Sequence, residues 1–332
     1  MEQLRALNEV LSTSDTQLSV GQSAAARVWA TGFDPLDTYL NGGLRSGELT
    51  LLGGPQGLGK TTWVLQLIRN VVAAGESALY FSYEHDAPLI LERVLAVEAG
   101  VSHGVEALPL KRIREAMEAG DGRTGTMEER LRETNGGVDA VRAVQQWGDR
   151  LFVHRSSGTT TSIEVIREAV DTVKALTGQS PLVVVDYLQK VAMPGGSEFE
   201  DERVTSTVEA LKDLSLDADT PVVAIVAADR EGIASGRRLR THHLRGSSAL
   251  AYEADVVLLF NDKYDVVARH HLIYDVSNAE RFRNFAIMSI EKNRNGLDRI
   301  DLEFRKRFEQ GRFEPEGRVV SEQLVDERVY VE

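Results

Sequence analysis

The stretch Leu49-Thr50-Leu51-Leu52-Gly53-Gly54-Pro55-Gln56-Gly57-Leu58-Gly59-Lys60-Thr61-Thr62 decides how the rest of the chain is read. Residues 54–61 carry the spacing G-x-x-x-x-G-K-[ST] of a phosphate-binding loop. The apolar run before it reads as a buried strand, and residues 63–72 after it repeat apolar side chains at helical spacing. Glycines let backbone N–H groups close around phosphate oxygens, and a helix N-terminus adds its positive dipole end. Lys60 then reaches the β- and γ-phosphates of a nucleotide, and the Thr61 hydroxyl offers a ligand for Mg²⁺. A glycine-rich turn that binds nothing is the alternative, and the full pattern with both flanks argues against it.

Further apolar runs follow at 78–83, 151–154, 182–186, 222–226 and 255–260. Amphipathic segments lie between them. One aligns Ile163, Ile166, Val170 and Val173 behind a Thr161/Glu164 capping box, and another aligns Val204, Val208, Leu211 and Leu214. Continuous apolar strands alternating with such helices predict an α/β fold, a mostly parallel sheet with helices on both faces. Segments near 286–290, 300–304 and 329–331 lack long helices between them and predict antiparallel strands at the C-terminal end.

Two carboxylates complete the expected site. The run 182–185 ends in Asp186, placed to hold Mg²⁺ beside Thr61. Glu84 follows the strand 78–83, which we expect next to the phosphate-loop strand. There it would orient the water that attacks the γ-phosphate.

Composition sets the remaining bounds. The chain has 332 residues, 42% of them hydrophobic and 27% charged, and a net charge of −13. Such an acidic chain has to bind nucleic acid through a local basic patch. Arg237, Arg238, Arg240, His242, His243 and Arg245 form one candidate, with no aromatic side chain among them for base stacking. The segment after Asp186 holds Glu198, Glu200, Asp201 and Glu202, which would repel phosphates. Cysteine is absent, which excludes disulfides and thiolate chemistry. No run is long and apolar enough for a membrane helix and the N-terminus lacks a signal-peptide layout, so a cytoplasmic location and no membrane partner are expected. We divide the chain into an N-terminal helix and linker at 1–30 and one domain at 31–332, with a glycine-rich insertion at 119–137, partly helical around 127–132. The helix, with Leu4, Leu7, Val10 and Leu11 on one face, either caps its own domain or docks onto a neighbouring subunit or protein partner. Residues 12–25 read as linker.

Taken together, these motifs resemble the ATPase domain of DnaB-type replicative helicases within the RecA-like superfamily, from about residue 31 to 315. The likeness rests on Gly32-Phe33-Asp34-Pro35-Leu36-Asp37, on Phe81-Ser82-Tyr83-Glu84 and on Val185-Asp186-Tyr187-Leu188-Gln189. Leu244-Arg245-Gly246-Ser247-Ser248-Ala249-Leu250 and Lys292-Asn293-Arg294-Asn295-Gly296 extend it. The resemblance implies a hexamer that hydrolyses ATP and moves on single-stranded DNA. It implies that Lys292 and Arg294 reach into the neighbour's nucleotide site, and that the segment before and including Arg245 touches DNA. The chain departs from the family at Val226-Ala227-Ala228, where the helicases carry a Ser-Gln that links nucleotide state to DNA. With about thirty residues before residue 31, we also expect no counterpart of the large N-terminal domain of the replicative helicases. The phosphate loop, with Pro55 after Gly54, is similar to RadA- and KaiC-like relatives. That keeps open a second reading, a regulatory or scaffolding ATPase acting on a protein partner.

Overall fold

The computed structural model describes residues 4–118, 122, 124–229, 237–246, 248–273 and 277–327. The strands in chain order are β1 (Val28–Trp29), β2 (Leu44–Arg45), β3 (Leu49–Gly53), β4 (Ala78–Ser82), β5 (Leu151–Arg155), β6 (Leu182–Asp186), β7 (Val222–Val226), β8 (Val256–Asp262), β9 (Phe285–Asn293), β10 (Ile300–Arg307), β11 (Arg312–Phe313) and β12 (Arg318–Val319). Strands β1 and β2 pair with each other, and the other ten form one sheet in the order β11-β10-β9-β8-β3-β7-β6-β4-β5, with β12 on β10.

From β8 to β5 the neighbours are parallel. Every residue of β3, β4, β6 and β7 is buried, because helices cover both faces and leave no solvated side for alternating polar residues. One face packs Trp63, Val64, Leu67 and Ile68 of the phosphate-loop helix Lys60–Ala73, with Phe33 stacked on Trp63 at 5.3 Å between ring centres. The other face packs the helices Ile163–Thr177 and Glu200–Asp217 through the residues expected from their spacing. The C-terminal strands β9, β10, β11 and β12 are antiparallel, as expected. The further strand expected at 329–331 lies outside the described residues.

Local expectations fail in three places, each for a physical reason. Strand β4 is not beside β3: β7 and β6 lie between them, because crossover helices let the chain skip positions in the sheet. The first helix runs Leu7–Ser19, through much of the expected linker. There the hydroxyls of Ser12, Thr13 and Thr16 donate to carbonyls four residues back at 2.8–2.9 Å, which suits polar residues to an exposed helix. The helix Ile163–Thr177 has Ser162 at its N-cap position with no side-chain bond to the helix N–H groups, while Thr161 Oγ1 accepts from the Ser157 N–H instead. The 119–137 stretch is helical at Met127–Arg130, within the expected 127–132, and that helix packs with Ala87–His103, Leu110–Met117 and Gly137–Trp147 around Leu95, Ala99, Ile113, Leu131 and Ala140. Residues 119–121 and 123 of it lie outside the described residues. Glu98 fastens this block to the phosphate-loop helix by accepting from Arg69 Nε at 2.6 Å and Trp147 Nε1 at 2.9 Å.

Candidate nucleotide site and arginine segment

The carboxyl ends of four parallel strands converge on one cleft of about 650 Å³. Strand β3 supplies the glycine loop, β6 supplies Asp186, β4 leads to Glu84 and β7 leads to Ala227 and Ala228. This is where an open α/β sheet binds its ligand. Glu84 therefore lines the cleft although its strand stands three positions from β3.

The loop is shaped by what its glycines avoid. Gly57 and Gly59 have φ of 80° and 91°, in the left-handed region. A Cβ on Gly59 would also lie 2.8 Å from the Phe308 ring and 2.9 Å from Phe313. Lys60 Nζ donates to the carbonyls of Gly54 at 2.7 Å and Pro55 at 2.9 Å, folded over its own loop. Burial lowers the pKa of Lys60, against the attraction of Asp186 and Glu84. The Thr61 hydroxyl donates to Asp186 Oδ2 at 2.9 Å, and the Tyr80 hydroxyl donates to the same oxygen at 2.8 Å. Burial raises the pKa of Asp186, against both of these hydrogen bonds. Burial likewise pushes the Tyr80 hydroxyl well above its ordinary value.

Sequence reasoning missed Arg93, which lines the cleft from the helix Ala87–His103. Its Nε is buried and has no hydrogen-bond partner among the described residues, so a donor is left for an anionic ligand. The signal available was a guanidinium inside an otherwise largely apolar helix. The residues present fit a nucleoside triphosphate and a divalent cation. A glycine loop, a buried ammonium and a guanidinium whose Nε has no partner among the described residues suit phosphates, and the paired Thr61 and Asp186 oxygens suit a hard cation.

Gln189 was also missed as a functional candidate. It follows Asp186 by three residues, in the turn Leu188–Lys190. Its Oε1 accepts from the Ala227 N–H at 3.3 Å and its Nε2 donates to the Arg245 carbonyl at 2.9 Å. The Arg245 N–H in turn donates to the Ala227 carbonyl at 2.8 Å. One amide thus ties the segment after β6, the end of β7 and the arginine segment together.

Lys292 and Arg294 sit elsewhere. Lys292 pairs with Val257, which pairs with Leu51 of β3, so it lies roughly 10 Å along the strands from Gly54, three residues at about 3.3 Å each. Lys292 Nζ donates to the carbonyls of Ala251 and Tyr252, at 2.8 and 3.1 Å. Arg294 donates to the Tyr252 carbonyl at 2.7 Å and to Asp255 at 3.2 Å. Burial, with Arg294 beside it, lowers the pKa of Lys292. Neither side chain lines the cleft of its own chain.

The arginine segment is more committed than its sequence implied. Arg238 is buried and pairs with Asp301, so in this conformation it is a structural cation and not a surface contact. Arg240 donates to Glu291 and Asp326, both at 2.8 Å. Arg237 faces Glu327 at 3.7 Å. Arg245, more than half exposed, pairs with Glu200 at 2.8 Å. The acidic residues read as repelling phosphates are thus partly the partners of the basic ones.

Fold and cleft define a RecA-like, phosphate-loop nucleotide-binding domain. Residues 29–314 match the family described as DnaB-like helicase C terminal domain, and the chain belongs to that family. It is similar to the replicative DNA helicase DnaB of Haemophilus influenzae, at 27% identity over 282 residues, covering 84% of this chain and 53% of that one. The DnaB of Pasteurella multocida is 27% identical over 284 residues, covering 84% and 54%. The chain spans about half the length of these curated relatives. A solved DnaB-like replicative helicase, described with its interactions with primase, superposes with a TM-score of 0.72 at 17% identity, covering 93% of this chain and 68% of that one. A solved ATPase domain gives 0.71 at 18% identity, covering 93% and 98%. Among the described residues no helix is long and apolar enough to cross a membrane.

Proposed function

We propose that this chain is an ATP-hydrolysing DNA motor of the DnaB type, working in the cytoplasm as a ring, a hexamer by analogy with the family, with nucleotide sites shared between subunits. One observation carries the reading. The cleft holds loop, lysine, threonine and two carboxylates at the carboxyl ends of the parallel strands, while Lys292 and Arg294 stand toward their amino ends and outside the cleft. A cation placed there serves a neighbour's γ-phosphate and not its own. A guanidinium supplied across an interface stabilises the charge that develops in phosphoryl transfer.

The roles follow from position. Lys60 and the loop N–H groups of residues 54–62 hold the phosphates. Thr61 and Asp186 hold Mg²⁺, which when bound neutralises charge on the phosphate oxygens. Glu84 orients the attacking water, and Arg93, which lines the same cleft, offers its guanidinium to the phosphates. Arg245, with Arg240 and Arg237, contacts the backbone of single-stranded DNA, and Gln189 takes the linking part that Ala227 and Ala228 lack. A regulatory ATPase of the RadA or KaiC kind has less support, since the helicase-domain family spans residues 29–314.

The test is complementation. Arg294→Ala and Glu84→Ala subunits should each be inactive alone, and mixing them should restore part of the turnover, because some interfaces then pair an intact Glu84 with an intact Arg294. Mixtures no more active than either variant would sink the shared site.

A further inference from the structure

We infer that residues 320–327 form an acidic strap that occupies the arginines of the 237–240 segment and is displaced by a polynucleotide. The inference rests on the proposal that these arginines contact nucleic acid.

The strap lies beyond residues 29–314, the part of the chain that matches the helicase-domain family. Between 315 and 327 the chain carries Glu316, Glu322, Asp326 and Glu327 against one cation, Arg318. After β12 it runs antiparallel to two segments, with Leu324 opposite Val267 and Glu327 opposite Arg237. Its backbone is held along its length. The Val320 N–H donates to the Asp301 carbonyl at 2.9 Å, the Val325 N–H to Val266 at 2.8 Å, and the Arg238 N–H to the Asp326 carbonyl at 2.8 Å.

The two ends of the strap are held very differently. At its base Glu322 meets Lys263 at 2.7 Å, and that lysine side chain is 1% exposed. At its tip Asp326 and Glu327 are 70% and 66% exposed, against arginines about one-third exposed. Exposed pairs of this kind are weak and screened by salt. A single strand brings many phosphates, and neutralising them releases counterions, which two solvated carboxylates cannot match. A strong base and a weak tip make the contact local and reversible. The tip also takes the same donors a phosphate would take, Arg240 Nε and Nη2 on Asp326 Oδ1. The charge balance points the same way: in a chain of net charge −13, arginines left uncovered would offer one of its basic surfaces to any polyanion.

The experiment measures anisotropy of a labelled oligothymidylate with the full chain, a non-hydrolysable ATP analogue and low salt. Four proteins are compared: the unaltered chain, Asp326→Asn/Glu327→Gln, Arg237→Gln/Arg240→Gln, and the four changes combined. Glutamine at 240 keeps a donor for Glu291, and the strap changes leave Glu322 on Lys263, so the fold is retained. Opening the strap should tighten binding by about two- to tenfold, the range expected when two weak exposed pairs stop competing. The gain should vanish in the four-fold variant and shrink as salt rises. If the strap variant binds as the unaltered chain does while the arginine variant loses affinity, the strap is overturned and the arginine contacts stand. If the arginine variant itself binds like the unaltered chain, the nucleic-acid reading of these arginines falls, and the strap falls with it.

Discussion

The Thr61 hydroxyl donates to Oδ2 of Asp186 at 2.9 Å, closing a gap of 125 residues in sequence. Tyr80 donates to the same oxygen from β4. A cation bound there has to compete with a proton, because burial has already raised the pKa of Asp186. Tyr80→Phe removes a hydrogen bond that favours the ionised carboxylate, so it should raise that pKa further. A hydrogen bond to a charged group contributes about 1.5–3 kcal/mol, which corresponds to roughly one to two pKa units. The expected result is a higher Mg²⁺ requirement for ATP turnover, with the gap from the unaltered chain widening as pH falls. A requirement raised equally at all pH values would point to lost packing instead.

Lys60 titrates in the opposite sense. Burial lowers its folded pKa below the ordinary 10.5, so the folded chain binds fewer protons than the unfolded chain between the two values. Stability tied to this group therefore grows as pH rises through that window and is absent below it. A triphosphate beside the ammonium favours the charged form and pulls the pKa back up. ATP binding in mildly alkaline solution should then take up protons. Calorimetry in two buffers of different ionisation enthalpy measures this directly, and Lys60→Met should abolish the uptake along with most of the affinity.

Gln189 is the amide that joins the nucleotide side to the arginine side. Gln189→Ala leaves the Ala227 N–H and the Arg245 carbonyl without these partners. We expect ATP turnover without DNA to stay within about fivefold, equivalent to about 1 kcal/mol, because both bonds are neutral and neither touches the cleft residues Lys60, Thr61, Glu84 or Asp186. Stimulation by single-stranded DNA should fall much further. Gln189→Glu keeps an acceptor for Ala227 but repels the Arg245 carbonyl, so it should fail to rescue. Equal losses in both rates would assign Gln189 to the fold alone.

These predictions draw on features of unequal legibility. The glycine loop and the strand ending in Asp186 were readable because local spacing alone sets strand, turn and helix. The antiparallel end was readable for the same reason, since no helix fits between its strands. Strand order was not, because which strands become neighbours depends on crossovers that no local pattern encodes, and Glu84 was assigned to the cleft from the wrong neighbour. Gln189 and the ion pairs of Arg238 and Arg240 were hidden for a related reason: their partners Arg245, Asp301 and Asp326 are far away in sequence. A run of arginines reads as one patch until the fold shows which members face inward.

The clearest case of a residue illegible in sequence is Lys263. It follows β8 as an ordinary charged residue, yet its side chain is 1% exposed, between Glu303 and Glu322 and 4.5 Å from the centre of the Phe282 ring. Glu303 is fully buried and also accepts from Arg318, which is mostly exposed. Removing one member of a buried pair leaves an uncompensated charge, at a cost of about 3–5 kcal/mol. Lys263→Met should therefore lower the stability of the domain by about 3 kcal/mol, with the solvated Arg318 offsetting part of the loss. Lys263→Met/Glu303→Leu removes both charges of the fully buried pair and should recover part of it, because apolar replacements of buried pairs are often neutral while Glu322 still lacks its lysine. Urea unfolding of the two variants decides the matter. A double variant no more stable than the single one would show that Glu303 is held by Arg318 alone, and that Lys263 belongs to the strap and not to the core.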